Sequence, residues 1–156
     1  MATKGLENIK TIDQLNLTDK RVFMRVDFNV PMKGGKITDD TRIRGALPTI
    51  EYALKHKAKL CLASHLGRPK GEPSDRDKYS LSAVGDRLSE LLKKEVILFD
   101  DPFGEGIKGL LSGLKENQVM LLENTRFLPG EEKNSMEIAA HWASFTEVYI
   151  DDAFGA

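Results

Sequence analysis

Three arginines, a histidine and two short polar side chains carry the chemistry legible in this chain of 156 residues. Arg42, Arg68 and Arg126 lie in three separate stretches, and His65, Asp27 and Asn29 stand in comparable positions. A guanidinium binds phosphate or carboxylate through two parallel N–H bonds. Each such charge-assisted contact contributes roughly 1.5–3 kcal/mol net. Like charges brought together repel until an anion arrives, so a cluster of this kind calls for a small ligand with several negative charges. One of these arginines alone would read as a solvated surface charge; only their convergence makes a site.

A pattern written four times would bring them together. The apolar run 22–26 leads into Asp27-Phe28-Asn29-Val30-Pro31, and the run 60–63 into Ser64-His65-Leu66-Gly67-Arg68-Pro69. The run 119–122 leads into Glu123-Asn124-Thr125-Arg126-Phe127, and 148–150 into Asp151-Asp152-Ala153-Phe154-Gly155-Ala156. Each run suits a buried strand, and each ends in charged or hydrogen-bonding residues. In open parallel sheets ligands bind in the crevice outside the carboxyl ends of the strands. His65 can be read as a loop histidine satisfied by backbone groups, but phosphate contact suits its neighbours better. Gly67 permits close backbone approach and Pro69 stiffens the turn.

Strands and helices alternate along the whole chain, which argues for an α/β domain with a mainly parallel sheet. Lys33-Gly34-Gly35-Lys36 reads as a turn. Asp40-Thr41 offers an N-cap for a helix to about residue 56, which Pro48 either kinks or restarts. Strand 59–63 precedes a long polar loop, 67–79, of the kind that is more often functional than incidental. Ser80 or Ser82 caps the next helix, with Val84, Leu88, Leu91 and Leu92 on one face. A strand over 96–99, a short helix around 107–114 weakened by Gly109 and Gly113, and the strand over 119–122 follow. Asn134 with Glu137 starts a helix to about residue 144, ahead of the last strand.

Composition narrows the partners. There are 23 Lys and Arg against 24 Asp and Glu, so neither nucleic acid nor a membrane surface is indicated and any cationic site must be local. Hydrophobic residues make up 40% and charged residues 30%, ordinary for a globular domain. The apolar runs are only of strand length and no signal core follows the N-terminus, so cytosol is the expected compartment. Cys61, the single cysteine, reads as a small core side chain. The three histidines show no metal-ligand spacing. The adjacent carboxylates Asp39/Asp40, Asp100/Asp101 and Asp151/Asp152 read as a cap plus a surface charge, because neighbours in extended chain point to opposite sides.

Gly104-Glu105-Gly106-Ile107-Lys108-Gly109 matches the dinucleotide pattern G-x-G-x-x-G. That fingerprint needs its glycines in the tight turn directly after a strand. Here Asp100-Asp101-Pro102-Phe103 intervenes, and two aspartates would repel a pyrophosphate. No G-x-x-x-x-G-K-[ST] loop occurs. A dinucleotide-binding domain built on this pattern stands as one alternative, and a folding fragment without catalysis as another.

Five segments closely resemble the amino-terminal domain of the phosphoglycerate kinase family, in order and in register. They are Arg25-Val26-Asp27-Phe28-Asn29-Val30-Pro31, Asp40-Thr41-Arg42-Ile43-Arg44, residues 64–69, Leu121-Leu122-Glu123-Asn124-Thr125-Arg126-Phe127 and Asp152-Ala153-Phe154-Gly155. The resemblance implies a Rossmann-like three-layer α/β/α domain over 1–156, the amino-terminal half of a two-domain kinase. It implies reversible phosphoryl transfer between 1,3-bisphosphoglycerate and ADP, giving 3-phosphoglycerate and ATP in glycolysis. Asp27 and Asn29 would hydrogen-bond the glycerate, and His65, Arg68 and Arg126 would hold its 3-phosphate. Arg42 would stabilise the phosphoryl group in flight, while Phe28, Leu66 and Gly67 would complete the substrate-binding segments. Mg-ATP or Mg-ADP would be bound by a carboxy-terminal nucleotide domain absent from this chain, together with a further phosphate-binding arginine and the interdomain helix. This chain would then bind no cofactor or metal itself, and the parent would be a cytoplasmic monomer without nucleic-acid or membrane partners.

Overall fold

The computed structural model describes residues 16–64, 66, 80–99, 106–124, 141, 144 and 146–151. Strand β1 is Arg21–Arg25, and the two-residue strands β2 (Met32–Lys33) and β3 (Lys36–Ile37) pair antiparallel. Helix α1 (Thr41–Lys55), β4 (Lys59–Ala63), α2 (Ser82–Leu92), β5 (Glu95–Phe99), α3 (Ile107–Ser112), β6 (Gln118–Leu122) and β7 (Val148–Asp151) follow. The helix expected from Asn134 and the long loop 67–79 lie outside the described residues, wholly or for the most part.

Five strands form one parallel sheet in the order β5–β6–β4–β1–β7. Its register sends successive rows of side chains to opposite faces. Phe23, Cys61 and Met120 stand in one row, and Met24, Leu62 and Leu121 in the next. The second row belongs to the larger core, where it meets Ile43, Ala46, Ile50 and Ala53 of α1 and Val84 and Leu88 of α2. The first row packs with Leu111 and Leu114 from α3 and the turn after it. The three-layer arrangement therefore follows from strands apolar on both faces, the pattern that a sheet covered by helices on both sides requires. Cys61 is fully buried, and burial pushes its thiol well above the ordinary range.

Pro48 neither ends α1 nor restarts it. It sits on the exposed side of the helix, where water can meet the Arg44 carbonyl left without its N–H partner. Asp40 occupies the N-cap position but makes no side-chain cap bond. Asp39 supplies it, its Oδ1 accepting from the Thr41 N–H at 2.9 Å. The physical reason is competition: Asp40 accepts instead from Arg44 Nε at 3.0 Å and Arg87 Nε at 2.9 Å, tying α1 to α2. These bonds, from Arg44 and then Arg87, hold the Asp40 carboxyl below the usual carboxylate range. Gly34 and Gly35, at φ 59° and 76°, turn the β2–β3 hairpin in the left-handed region that glycine adopts without strain.

Candidate functional site

The carboxyl ends of β1, β4, β6 and β7 all face one edge of the sheet, because every pairing in it is parallel. Beyond β1 burial alternates along the chain. Val26, Phe28 and Val30 are buried, while Asp27 and Asn29 between them turn outward. That period-two pattern presents the two polar side chains on one side and anchors the segment through the residues in between. Phe28 is 0% exposed and belongs to the core, so only its backbone is at the site edge.

Arg42, on the first turn of α1, folds over this segment. Its Nη1 donates to Asp27 Oδ1 at 3.3 Å and to the Asn29 carbonyl at 3.0 Å. Asp27 Oδ1 also accepts from the Asn29 N–H at 3.1 Å, closing an Asx turn that sets the loop's shape. Both bonds of the guanidinium run through one nitrogen, and the Arg42 side chain is 53% exposed. Nε and Nη2 therefore remain, among the described residues, for an anion. Oδ2 of Asp27 remains for a hydroxyl donor. The structure thus brings Asp27, Asn29 and Arg42 together, an acceptor beside a cationic fork.

Three polar side chains without a role in the sequence reading build the frame for these groups. Ser64 Oγ accepts from the Phe28 N–H at 2.9 Å, joining the loop after β4 to the loop after β1. Asn124 joins the loop after β4 to the loop after β6: its Oδ1 accepts from the Leu66 N–H at 3.1 Å and its Nδ2 donates to the Leu66 carbonyl at 2.7 Å. Glu123 accepts from the Leu81 N–H at 2.7 Å, the Asn124 N–H at 2.9 Å and the Ser80 hydroxyl at 2.7 Å. All three are buried. The only signal in the sequence is their position just after a buried strand, since apart from the neighbouring Asn124 N–H their partners lie 36 to 58 residues away. Leu66 is itself a buried core side chain. His65, Gly67, Arg68 and Arg126 lie outside the described residues.

The described glycines of the pattern at 104–109, Gly106 and Gly109, do not stand in a tight turn directly after a strand. β5 ends at Phe99, whereas Gly106 is the N-cap of the six-residue α3 and Gly109 lies inside that helix. A Cβ at either position would meet nothing within 4 Å, so no close backbone approach calls for glycine there. Among the described residues no three His, Cys, Asp or Glu side chains gather as a metal site, and no helix is long and apolar enough to cross a membrane.

A family model described as phosphoglycerate kinase matches residues 12–156. A protein named phosphoglycerate kinase from Anaeromyxobacter sp. (strain Fw109-5) is 57% identical over 148 residues, covering 94% of this chain and 37% of that protein. The structure of phosphoglycerate kinase from Coxiella burnetii superposes with a TM-score of 0.77 at 41% identity, over 92% of this chain and 34% of that one. The crystal structure of the Pyrococcus horikoshii OT3 enzyme of that name gives a TM-score of 0.78 at 33% identity, over 92% and 36%. The chain spans little more than a third of the length of these relatives.

Proposed function

Because the chain belongs to the phosphoglycerate kinase family, we propose that it supplies the glycerate-binding half of an enzyme that moves a phosphoryl group reversibly between 1,3-bisphosphoglycerate and ADP. The observation that carries this reading is the Asp27–Asn29–Arg42 constellation at the carboxyl edge of a parallel sheet. Asp27 and Asn29 receive the glycerate hydroxyl and carboxyl groups. His65, Arg68 and Arg126 hold the 3-phosphate. Phe28, Leu66 and Gly67 complete the segments that carry them.

The chemistry asks little else of this half. In the ATP-consuming direction the nucleophile is the substrate's carboxylate, already ionised at neutral pH, so no general base is required. Catalysis rests on alignment and on neutralising charge over the group in transfer. Arg42 meets the second need: exchanging Asp27 for an incoming anion frees the guanidinium fork to follow the phosphoryl oxygens. Mg-ATP or Mg-ADP, as the other substrate, supplies the phosphoryl donor or acceptor with its charge partly neutralised. It binds in the part of the protein that this chain does not span. The same reading makes the protein a glycolytic, cytoplasmic monomer.

A coupled assay tests the proposal. The protein at its native length should form 1,3-bisphosphoglycerate from 3-phosphoglycerate and Mg-ATP. Residues 1–156 alone should not, because holding one substrate without the other forgoes an alignment advantage of roughly 7–11 kcal/mol. No turnover at native length would overturn the proposal. Robust turnover by a mass-verified 156-residue chain would reveal a nucleotide site within it.

A further inference from the structure

Ser64 is 4% exposed and directly follows β4. The Val26 N–H donates to the Ala63 carbonyl at 3.0 Å, one residue past the β1–β4 register pair Arg25 with Ala63. Two residues further on, the Phe28 N–H donates to Ser64 Oγ at 2.9 Å, so a side-chain oxygen takes the part that a strand carbonyl plays before it. Phe28 is 0% exposed, and the residue being held is thus also fixed by its own packing. Its carbonyl accepts from the Val30 N–H at 2.8 Å. Asp27 and Asn29 flank it, joined to each other by the Asn29 N–H on Asp27 Oδ1. Arg42 Nη1 rests on both, through the Asp27 carboxylate and the Asn29 carbonyl. Every group of this constellation therefore stands next to the residue that Ser64 holds, or bonds to one that does.

We propose that Ser64 is a positioning residue for the glycerate end of the substrate. By holding Phe28 against the end of β4, it sets where Asp27 and Asn29 stand and where the two oxygens under Arg42 lie, without touching the ligand. The inference rests on the glycerate site proposed above. A misplacement of about 1 Å can cost about a hundredfold in rate, even when every reacting group is present. Released from Ser64, the segment keeps its side chains and loses their placement. If Ser64 only satisfied a buried N–H, its loss would lower stability and leave the kinetics of the folded protein unchanged.

A double-mutant cycle on the native-length protein tests this, read as kcat/KM for 3-phosphoglycerate in a coupled assay. Ser64→Ala should lower that value by about ten- to hundredfold, with KM for ATP within about twofold of wild type. Asp27→Ala removes a side chain through which Ser64 acts. In that background Ser64→Ala should cost less than about threefold, since residues that work through one another are not additive. Leu88→Ala, a substitution in the core face of α2, provides a destabilised control that keeps the wild-type value. If Ser64→Ala does not fold, Ser64→Cys carries the same cycle, its sulfur a weaker acceptor. An unchanged kcat/KM in the folded variant, an equal loss in both backgrounds, or the same loss in Leu88→Ala overturns the positioning role and leaves the site reading intact. Wild-type kinetics in folded Asp27→Ala, or no turnover of 3-phosphoglycerate by the wild-type protein, overturns the site reading itself.

Discussion

Replacing Glu123 asks whether the carboxyl edge of the sheet is held by charge or by shape. Its Oε1 accepts two backbone N–H groups, from Leu81 at 2.7 Å and Asn124 at 2.9 Å. Leu81 is the N-cap of α2, so the carboxylate also faces the positive end of that helix. Glu123→Gln keeps the size and the accepting oxygen, and the Ser80 hydroxyl can turn to accept from the new amide. Only the charge assistance is lost, about 1–2 kcal/mol over the two N–H bonds and the dipole. Glu123→Ala leaves both donors without the carboxylate, and those donors belong to residues 0% and 2% exposed. At about 1–3 kcal/mol for each buried donor left unmet, the cost is about 2–6 kcal/mol. Urea denaturation followed by circular dichroism separates the two variants. Equal losses for Gln and Ala, or an Ala loss below about 1 kcal/mol, would refute the role given to this carboxylate.

Two further substitutions probe the frame away from the site. Lys57 sits at φ 64° after α1, inside a Schellman motif closed by Lys57 N–H to the Leu54 carbonyl and Ala58 N–H to the Ala53 carbonyl. Lys57→Gly should stabilise the fold by about 1 kcal/mol, raising Tm by about 2–4 °C, because an L side chain is strained there and its exposed pairing with Glu116 is weak. A lower Tm would contradict this. Asp40, held below its ordinary pKa by Arg44 and Arg87, contributes stability above about pH 4, lost as pH falls through its depressed value. Asp40→Asn should therefore flatten the acid limb of a Tm-against-pH curve, whereas parallel curves would show that the pairing does not couple to folding.

The major strands were legible because strands buried on both faces read as unbroken apolar runs, and 59–63 appears with those same bounds. Asp27 and Asn29 were legible as a pair because burial alternates strictly from Val26 to Val30. The hairpin of β2 and β3 showed only its turn, since two residues per strand leave no period to detect. The sequence places Asp40 directly before the helix, where a cap is expected. Arg87, 47 positions away, claims its carboxylate instead. The insertion of β6 between β4 and β5 leaves no mark on local periodicity, and the contacts of Glu123 and Asn124 depend on it. Three arginines suggested a mutually repelling cluster; the one described among them, Arg42, is offset by Asp27 at 3.3 Å.

Calorimetric titration of the native-length protein with 3-phosphoglycerate and with glycerate tests the central claim most directly, since the two ligands differ only in the group that the arginines are proposed to meet. 3-Phosphoglycerate should bind more tightly than glycerate, its affinity weakening as salt rises but less steeply than at a fully exposed site. Equal affinity for the two ligands would contradict it.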